Sequence, residues 1–258
     1  MKRALVTGCS SGFGLEIARH FHAHGWHVIA TMRTVRQDVL PSSERLQVLA
    51  LDVTDPQSIR DVVSAAGQID VLVNNAGFGA ASPAEVTPMM TVRELFETNT
   101  FGTIAMTQAF VPQFRQRRSG VVVNVTSSVT LRPLPLIAAY RASKAAVNAF
   151  TESMAVELEP FGVYMRLVLP GRSPTTRFSE NARRNRHGLD LEAYGDLVKK
   201  VVAGFQDTSS PTTRPHDVAA AVWRAATDPT SPLCIAAGAD AEAWAAEADC
   251  GEKQFDRA

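Results

Sequence analysis

Cysteine is scarce in this chain. Cys9, Cys234 and Cys250 are odd in number and far apart, so they spell neither a disulfide framework nor a metal-ligand spacing. Net charge is absent, with 26 basic against 26 acidic side chains. Nucleic-acid binders carry a basic excess, so no nucleic-acid partner is expected. No apolar run approaches the roughly 18 residues of a membrane helix, so no membrane span is expected. The apolar stretch behind Lys2 and Arg3 breaks at Thr7-Gly8-Cys9-Ser10-Ser11-Gly12, too soon for a secretory signal core. A reducing, cytoplasmic setting is the expectation. Glycine and proline, at 16 and 14 residues, are too few for a collagenous or low-complexity chain. What remains is 258 residues, 45% of them hydrophobic, enough for a well-buried core.

Apolar runs of strand length alternate with helical patterns. Strands are predicted at Ala4-Leu5-Val6, Val28-Ile29-Ala30, Leu46 to Leu51, Val71-Leu72-Val73, Val121 to Val125 and Val163 to Leu169. Between them, helices are predicted over Leu15 to His24, closed by Gly25, and over Pro56 to Ala66 behind an Asp55 cap. Two longer ones should run from Thr91 to Arg117 and from Ala138 to Glu157. The strands are short, β-branched and apolar on both faces, as when helices cover both sides of a parallel sheet. Repeated β-α-β order implies right-handed crossovers and a doubly wound α/β sheet. One domain spanning 1–258 is expected. Its polar, arginine-rich excursion at about 172–215 reads as a lid or binding loop, with a weak helix from Leu191 to Phe205. A helix from His216 to Thr227 and a strand from Leu233 to Ala236 should follow. The tail from Asp240 either forms a last helix or frays.

Thr7-Gly8-Cys9-Ser10-Ser11-Gly12-Phe13-Gly14 lies between the first strand and first helix. Glycines there permit a tight turn and close approach of backbone to a pyrophosphate. The following helix offers free N–H groups and its positive dipole end. The spacing is G-x-x-x-G-x-G rather than G-x-G-x-x-G. After the second strand comes Thr31-Met32-Arg33, with no acid before Asp38. A site for NAD places an acid there for the ribose 2′-hydroxyl, whereas arginine suits the 2′-phosphate of NADP. NADP(H) is therefore the expected cofactor.

These residues, with others further on, resemble the short-chain dehydrogenase/reductase family over roughly residues 3 to 176. The ordered set is Gly8, Gly12 and Gly14; Asp52-Val53; Asn74-Asn75-Ala76-Gly77; Asn99; Ser127; Tyr140-x3-Lys144; and Pro170-Gly171. Ser127 stands thirteen residues before Tyr140. The loop Cys9 to Leu15 and the segment Ala30 to Arg33 are similar to the 17β-hydroxysteroid and retinol dehydrogenase-like branch. The resemblance implies a Rossmann-type fold and an oxidoreductase that works as a homodimer or homotetramer. It further implies that Asp52 and the Val53 backbone meet the adenine, and that Asn75, Ala76 and Gly77 line the ribose. Ser10, Ser11 and Phe13 belong to the implied cofactor loop. Pro170, Gly171 and Thr175 would face the nicotinamide. Arg172-Ser173-Pro174 depart from the apolar residue usual two places after that glycine.

The residue types suit hydride exchange with a carbonyl. The alkoxide that develops needs a proton, yet a tyrosine is a weak acid–base at neutral pH, with an unperturbed pKa of about 10. Tyr140 and Lys144 share a helical face, and the ammonium is expected to depress the phenol toward working pH. Ser127 can polarise the carbonyl. By resemblance, Lys144 also binds the ribose, and Asn99 holds a water in a proton relay.

Other signals are weaker. His20 and His24 share a helical face but lie far from the glycine loop, so a solvated helix end is expected and no metal. Arg172, Arg177, Arg183, Arg184, Arg186 and His187 make the excursion basic; an anion-binding lid and a merely solvated one both stay open. Phe96, Phe101, Phe110 and Phe114 are expected in the core, some of them at a subunit interface. Residues 78–88 and 129–139 should border the substrate, and their apolar bias predicts a hydrophobic carbonyl or alcohol. Two other readings compete: a lyase or dehalogenase, which the intact glycines and Lys144 disfavour, and a non-catalytic NADPH-binding sensor, which the complete catalytic set disfavours.

Overall fold

The computed structural model describes residues 1–36, 38–174, 176, 186–207 and 210–248. Seven strands form one parallel sheet: β1 (Arg3–Val6), β2 (His27–Met32), β3 (Leu46–Ala50), β4 (Val71–Asn74), β5 (Gly120–Val125), β6 (Val163–Pro170) and β7 (Cys234–Ala237). Their order is β3-β2-β1-β4-β5-β6-β7. Strand order reverses between β1 and β4, and ligands of such sheets bind at the carboxyl ends beside that reversal. The loops carrying Gly8 and Asn75 leave the sheet there.

Strand alternation divides the core in two. Ala4 and Val6 point to one face, where Ile17 and Phe21 of α1 (Gly12–Ala23) meet Val218 and Val222 of a later helix, α7 (Pro215–Thr227). Leu5 points to the other, against Ile59 and Val62 of α2 (Pro56–Ala66) and Met106, Phe110 and Phe114 of α4 (Gly102–Arg117). The period of two along each strand thus feeds two helical layers. Local chemistry sets the helix ends. The Asp55 carboxylate accepts the Gln57 N–H at 2.8 Å, and Gly25, at φ 83°, closes α1.

The helix expected from Thr91 to Arg117 is broken. It consists of α3 (Met89–Phe96), a π-helical turn at Glu97–Phe101, and α4. The turn's extra residue shifts the face and buries Asn99 and Thr100. Two hydroxyls secure it: Thr100 Oγ1 donates to Ser143 O at 2.9 Å, and Thr103 Oγ1 donates to Asn99 O at 2.9 Å. Of the four phenylalanines, Phe110 and Phe114 are core, whereas Phe101 is 52% exposed because it sits at the end of that turn. The long α5 (Ala138–Leu158) follows β5. In the excursion, α6 (Gly195–Gln206) forms the helix anticipated there. The tail resolves into α8 (Ala239–Glu247), anchored by buried Asp240 and Ala241. No helix among the described residues is long and apolar enough to cross a membrane.

Candidate active site

The glycine loop is held by the segment after β4. Thr7 Oγ1 accepts the N–H groups of Asn75 and Ala76, each at 2.9 Å. The Asn75 amide donates back to Thr7 O at 2.9 Å and to Gly8 O at 3.4 Å. A Cβ on Gly14 would lie 2.3 Å from Gly8 O and 2.5 Å from the Asn75 amide nitrogen, so the first turn of α1 packs against the loop as bare backbone. Gly8 and Gly12, at φ 75° and 58°, carry the left-handed turns. Cys9 is buried, and burial pushes its thiol up to about 12 despite a hydrogen bond with the Thr31 backbone.

The cradle has the character an anionic cofactor needs. Ser11 at the N-cap of α1 makes no side-chain capping bond, and the first turn carries no acid. Its N–H groups and positive dipole end therefore have no competing side-chain anion. Arg33 follows β2 directly and is exposed. Burial alone would raise the Asp52 carboxyl, but the Thr54 backbone N–H and hydroxyl and the Arg33 charge hold it below the ordinary carboxylate range. Asp52 Oδ1 accepts both Thr54 groups, at 2.9 and 2.7 Å. Val53 packs beside it against Gly102, where a Cβ would come within 2.7 Å of Val53 Cγ2. These residues fit a dinucleotide.

Beside this cradle, Asn99, Ser127, Tyr140 and Lys144 are all buried. Ser127, which leads out of β5, shares a side-chain hydrogen bond with Tyr140. Lys144 Nζ donates to Val125 O at 3.0 Å. Its other protons have no partner among the described residues. Gly77 passes over both neighbours: a Cβ there would meet Asn99 Oδ1 at 2.8 Å and Lys144 Nζ at 3.3 Å. The Asn99 amide pairs with the backbone of Phe78, accepting its N–H and donating to its carbonyl, both at 3.0 Å. Its second proton goes to Ser143 Oγ at 3.0 Å. The side chain expected to hold water is thus engaged by protein, and it fixes the loop after β4 to α5.

The electrostatics correct one expectation. Burial pushes the Tyr140 phenol up to about 12, against the opposing bond from Ser127. Burial also pushes the Lys144 amine down, to about 8. Desolvation outweighs the attraction that helical spacing alone suggested. The Tyr140 ring packs with Ala80 and Leu95, ringed by Phe78, Val129, Ile137 and Ala139. Leu136 takes φ 66°, and its carbonyl accepts the Ser82 N–H at 2.7 Å, so the two loops expected to border the substrate are tied together.

Residues that sequence reasoning missed close the far side. Asp240 is buried; its carboxylate accepts the Arg172 N–H at 2.6 Å and the Thr213 hydroxyl at 2.7 Å. The Gly171 N–H donates to Thr213 Oγ1 at 3.0 Å. Both ends of the excursion are therefore clasped where Pro170-Gly171 leaves β6. Arg172 turns away from the site and donates to Gly204 O and Asp207 O at 3.3 and 2.9 Å, capping α6. Thr175, Arg177, Arg183 and Arg184 lie outside the described residues.

The model of the short chain dehydrogenase family matches residues 2–187. The chain belongs to this family. Short-chain dehydrogenases are oxidoreductases acting on CH–OH/C=O groups. Human retinol dehydrogenase 8 is 35% identical over 181 residues, 66% of this chain and 58% of that enzyme's length, in line with the branch suggested by the loop residues. A short-chain dehydrogenase from Streptomyces avermitilis superposes with a TM-score of 0.82 at 35% identity, covering 95% of this chain and 91% of that one. A serine dehydrogenase complexed with NADP+ superposes with a TM-score of 0.77 at 29% identity, covering 92% and 94%. A nicotinamide cofactor follows for this short-chain dehydrogenase.

Proposed function

We propose that this chain, one catalytic domain with a lid at about 172–215, exchanges a hydride between NADP(H) and a hydrophobic ketone or aldehyde and its alcohol. The observation that carries the reading is the buried Ser127–Tyr140 hydroxyl pair above Lys144, walled by Phe78, Val129 and Ile137. Ser10, Ser11, Gly12 and Phe13 would hold the pyrophosphate. Arg33 would take the 2′-phosphate, Asp52 and Val53 the adenine, and Asn75, Ala76 and Gly77 the ribose. The serine dehydrogenase described with NADP+ supports that choice, as does the lack of an acid at the end of β2.

When bound, the nicotinamide supplies or accepts the hydride. The chain's own residues handle the oxygen. Ser127 donates a hydrogen bond to the substrate oxygen and polarises the carbonyl. Tyr140, neutral with a phenol pushed up to about 12 by burial, holds the proton that the developing alkoxide takes. The Lys144 ammonium beneath stabilises the phenolate left behind and restores its proton. Asn99 keeps the Phe78 wall and α5 in register.

The test is NADPH oxidation by the purified protein across ketones, aldehydes, steroids, retinal and acidic carbonyls, with NADH in parallel. The expected result is turnover of a hydrophobic carbonyl with NADPH, reduced at least about 100-fold in Tyr140→Phe with cofactor affinity retained. Turnover undiminished in that variant would overturn the assignment of Tyr140. Equal use of NADH would overturn that of Arg33.

A further inference from the structure

Arg141, next after Tyr140, has no evident reason to be where it is. It stands in the first turn of α5, where the helix dipole disfavours a cation. It makes no ion pair with a carboxylate among the described residues. Its bonds go to backbone instead: Nε donates to Val129 O at 2.9 Å and Nη2 to Thr130 O at 3.2 Å. Two turns further along the same helical face, Asn148 Nδ2 donates to Thr130 Oγ1 at 3.1 Å.

The turn they grip is the one that shapes Ser127. Thr130 Oγ1 donates to Ser127 O at 2.8 Å, and the Thr130 N–H reaches the same carbonyl at 3.2 Å. The Val129 N–H donates to Ser127 Oγ at 3.3 Å. With an N–H on one lone pair of its oxygen, Ser127 keeps its single proton free for Tyr140 or, once bound, the substrate oxygen. Helix α5 thus carries two stripes: Tyr140 and Lys144 toward the site, and Arg141 and Asn148 toward the Ser127–Thr130 turn.

We infer that Arg141, with Asn148 behind it, is a positioning residue that clamps the Ser127–Thr130 turn onto the Tyr140 helix and so fixes the Ser127 hydroxyl against the Tyr140 hydroxyl. The inference rests on the reading that these two hydroxyls work as a pair. A guanidinium suits the task because its rigid planar fork presents two N–H donors to the two carbonyls, whereas an ammonium is a point charge on a flexible stem.

The chain has three tyrosines, so [13Cζ]tyrosine NMR resolves Tyr140 once Tyr140→Phe assigns it. Ser127→Ala should move the Tyr140 resonance at pH 7. Arg141→Gln should move it in the same direction while Tyr164 and Tyr194 stay put. The double variant should match Ser127→Ala alone, and Arg141→Lys should recover part of the effect. With NADPH and decanal, kcat of Arg141→Gln should fall about 10- to 100-fold, the scale of a small misplacement, with NADPH affinity by fluorescence unchanged.

A Tyr140 resonance unmoved by Arg141→Gln, or shifts that add in the double variant, would overturn the clamp. So would a resonance indifferent to Ser127→Ala. If Arg141→Gln does not fold, Asn148→Ala is read the same way. The resonance decides whether or not decanal is turned over. Turnover surviving in Tyr140→Phe would sink the catalytic reading and leave the NMR result standing.

Discussion

Lys144 should make the ligand-free protein less stable, and the size of the effect follows from its burial. Its amine falls from 10.5 to about 8 because burial removes water from the ammonium. Folding with the charge in place is then disfavoured by about 3 kcal/mol at neutral pH. The sign follows from proton counts. Below pH 8 the amine is protonated both folded and unfolded, so the whole penalty applies. Between about 8 and 10.5 the unfolded chain binds the extra proton, and stability rises with pH. Above 10.5 both states are neutral and the penalty is gone. Lys144→Met removes this dependence. It also removes the bond to Val125 O, which shifts the offset but leaves the slope to the titration. Urea unfolding of both proteins, followed by circular dichroism at intervals from pH 7 to 10.5, measures the difference. Relative to the variant, the wild type should gain about 3 kcal/mol across that range. A flat difference would refute the reasoning, since it would mean that the ammonium keeps its water in the folded protein.

Three further outcomes are expected. Gly14→Ala places a methyl 2.3 Å from Gly8 O. It should cost about 1–3 kcal/mol or more and weaken NADPH binding, as read by thermal unfolding and fluorescence titration. Asp240→Ala strands the Arg172 N–H and the Thr213 hydroxyl, a loss of about 1–3 kcal/mol; limited proteolysis should then cut faster between residues 172 and 213. Cys9, whose thiol is pushed up to about 12 by burial, should resist a thiol reagent at pH 8 in the folded protein and react once urea exposes it; labelling mapped by mass spectrometry checks this.

The parts of the site that were legible in the sequence are those whose signal is local. Strands such as Ala4-Leu5-Val6 announce themselves because both faces are apolar, and the glycine loop because a strand and a helix flank it. Tyr140 and Lys144 are readable as one helical face because four residues make about one turn. What escaped depends on contacts between distant residues. Asn75 is marked by the resemblance, but its grip on a loop 68 residues earlier is not; Asp240, which holds an N–H 68 residues earlier, carries no local signal at all. The π-helical turn at Glu97–Phe101 is invisible to a 3.6-residue pattern. On it, Thr100 donates to the Ser143 carbonyl on α5, a contact 43 residues away in the chain. The Tyr140 phenol shows the same limit in electrostatic form. Spacing reveals which charge lies nearby, but burial, which here has the larger effect, is a property of the assembled walls. Phe78 comes from one loop and Val129 and Ile137 from another, and only their convergence makes the phenol a buried proton donor. Arg141 belongs with these cases. In sequence it is one of the three unspecified positions of Tyr140-x3-Lys144, and only the fold brings it to the carbonyls of Val129 and Thr130.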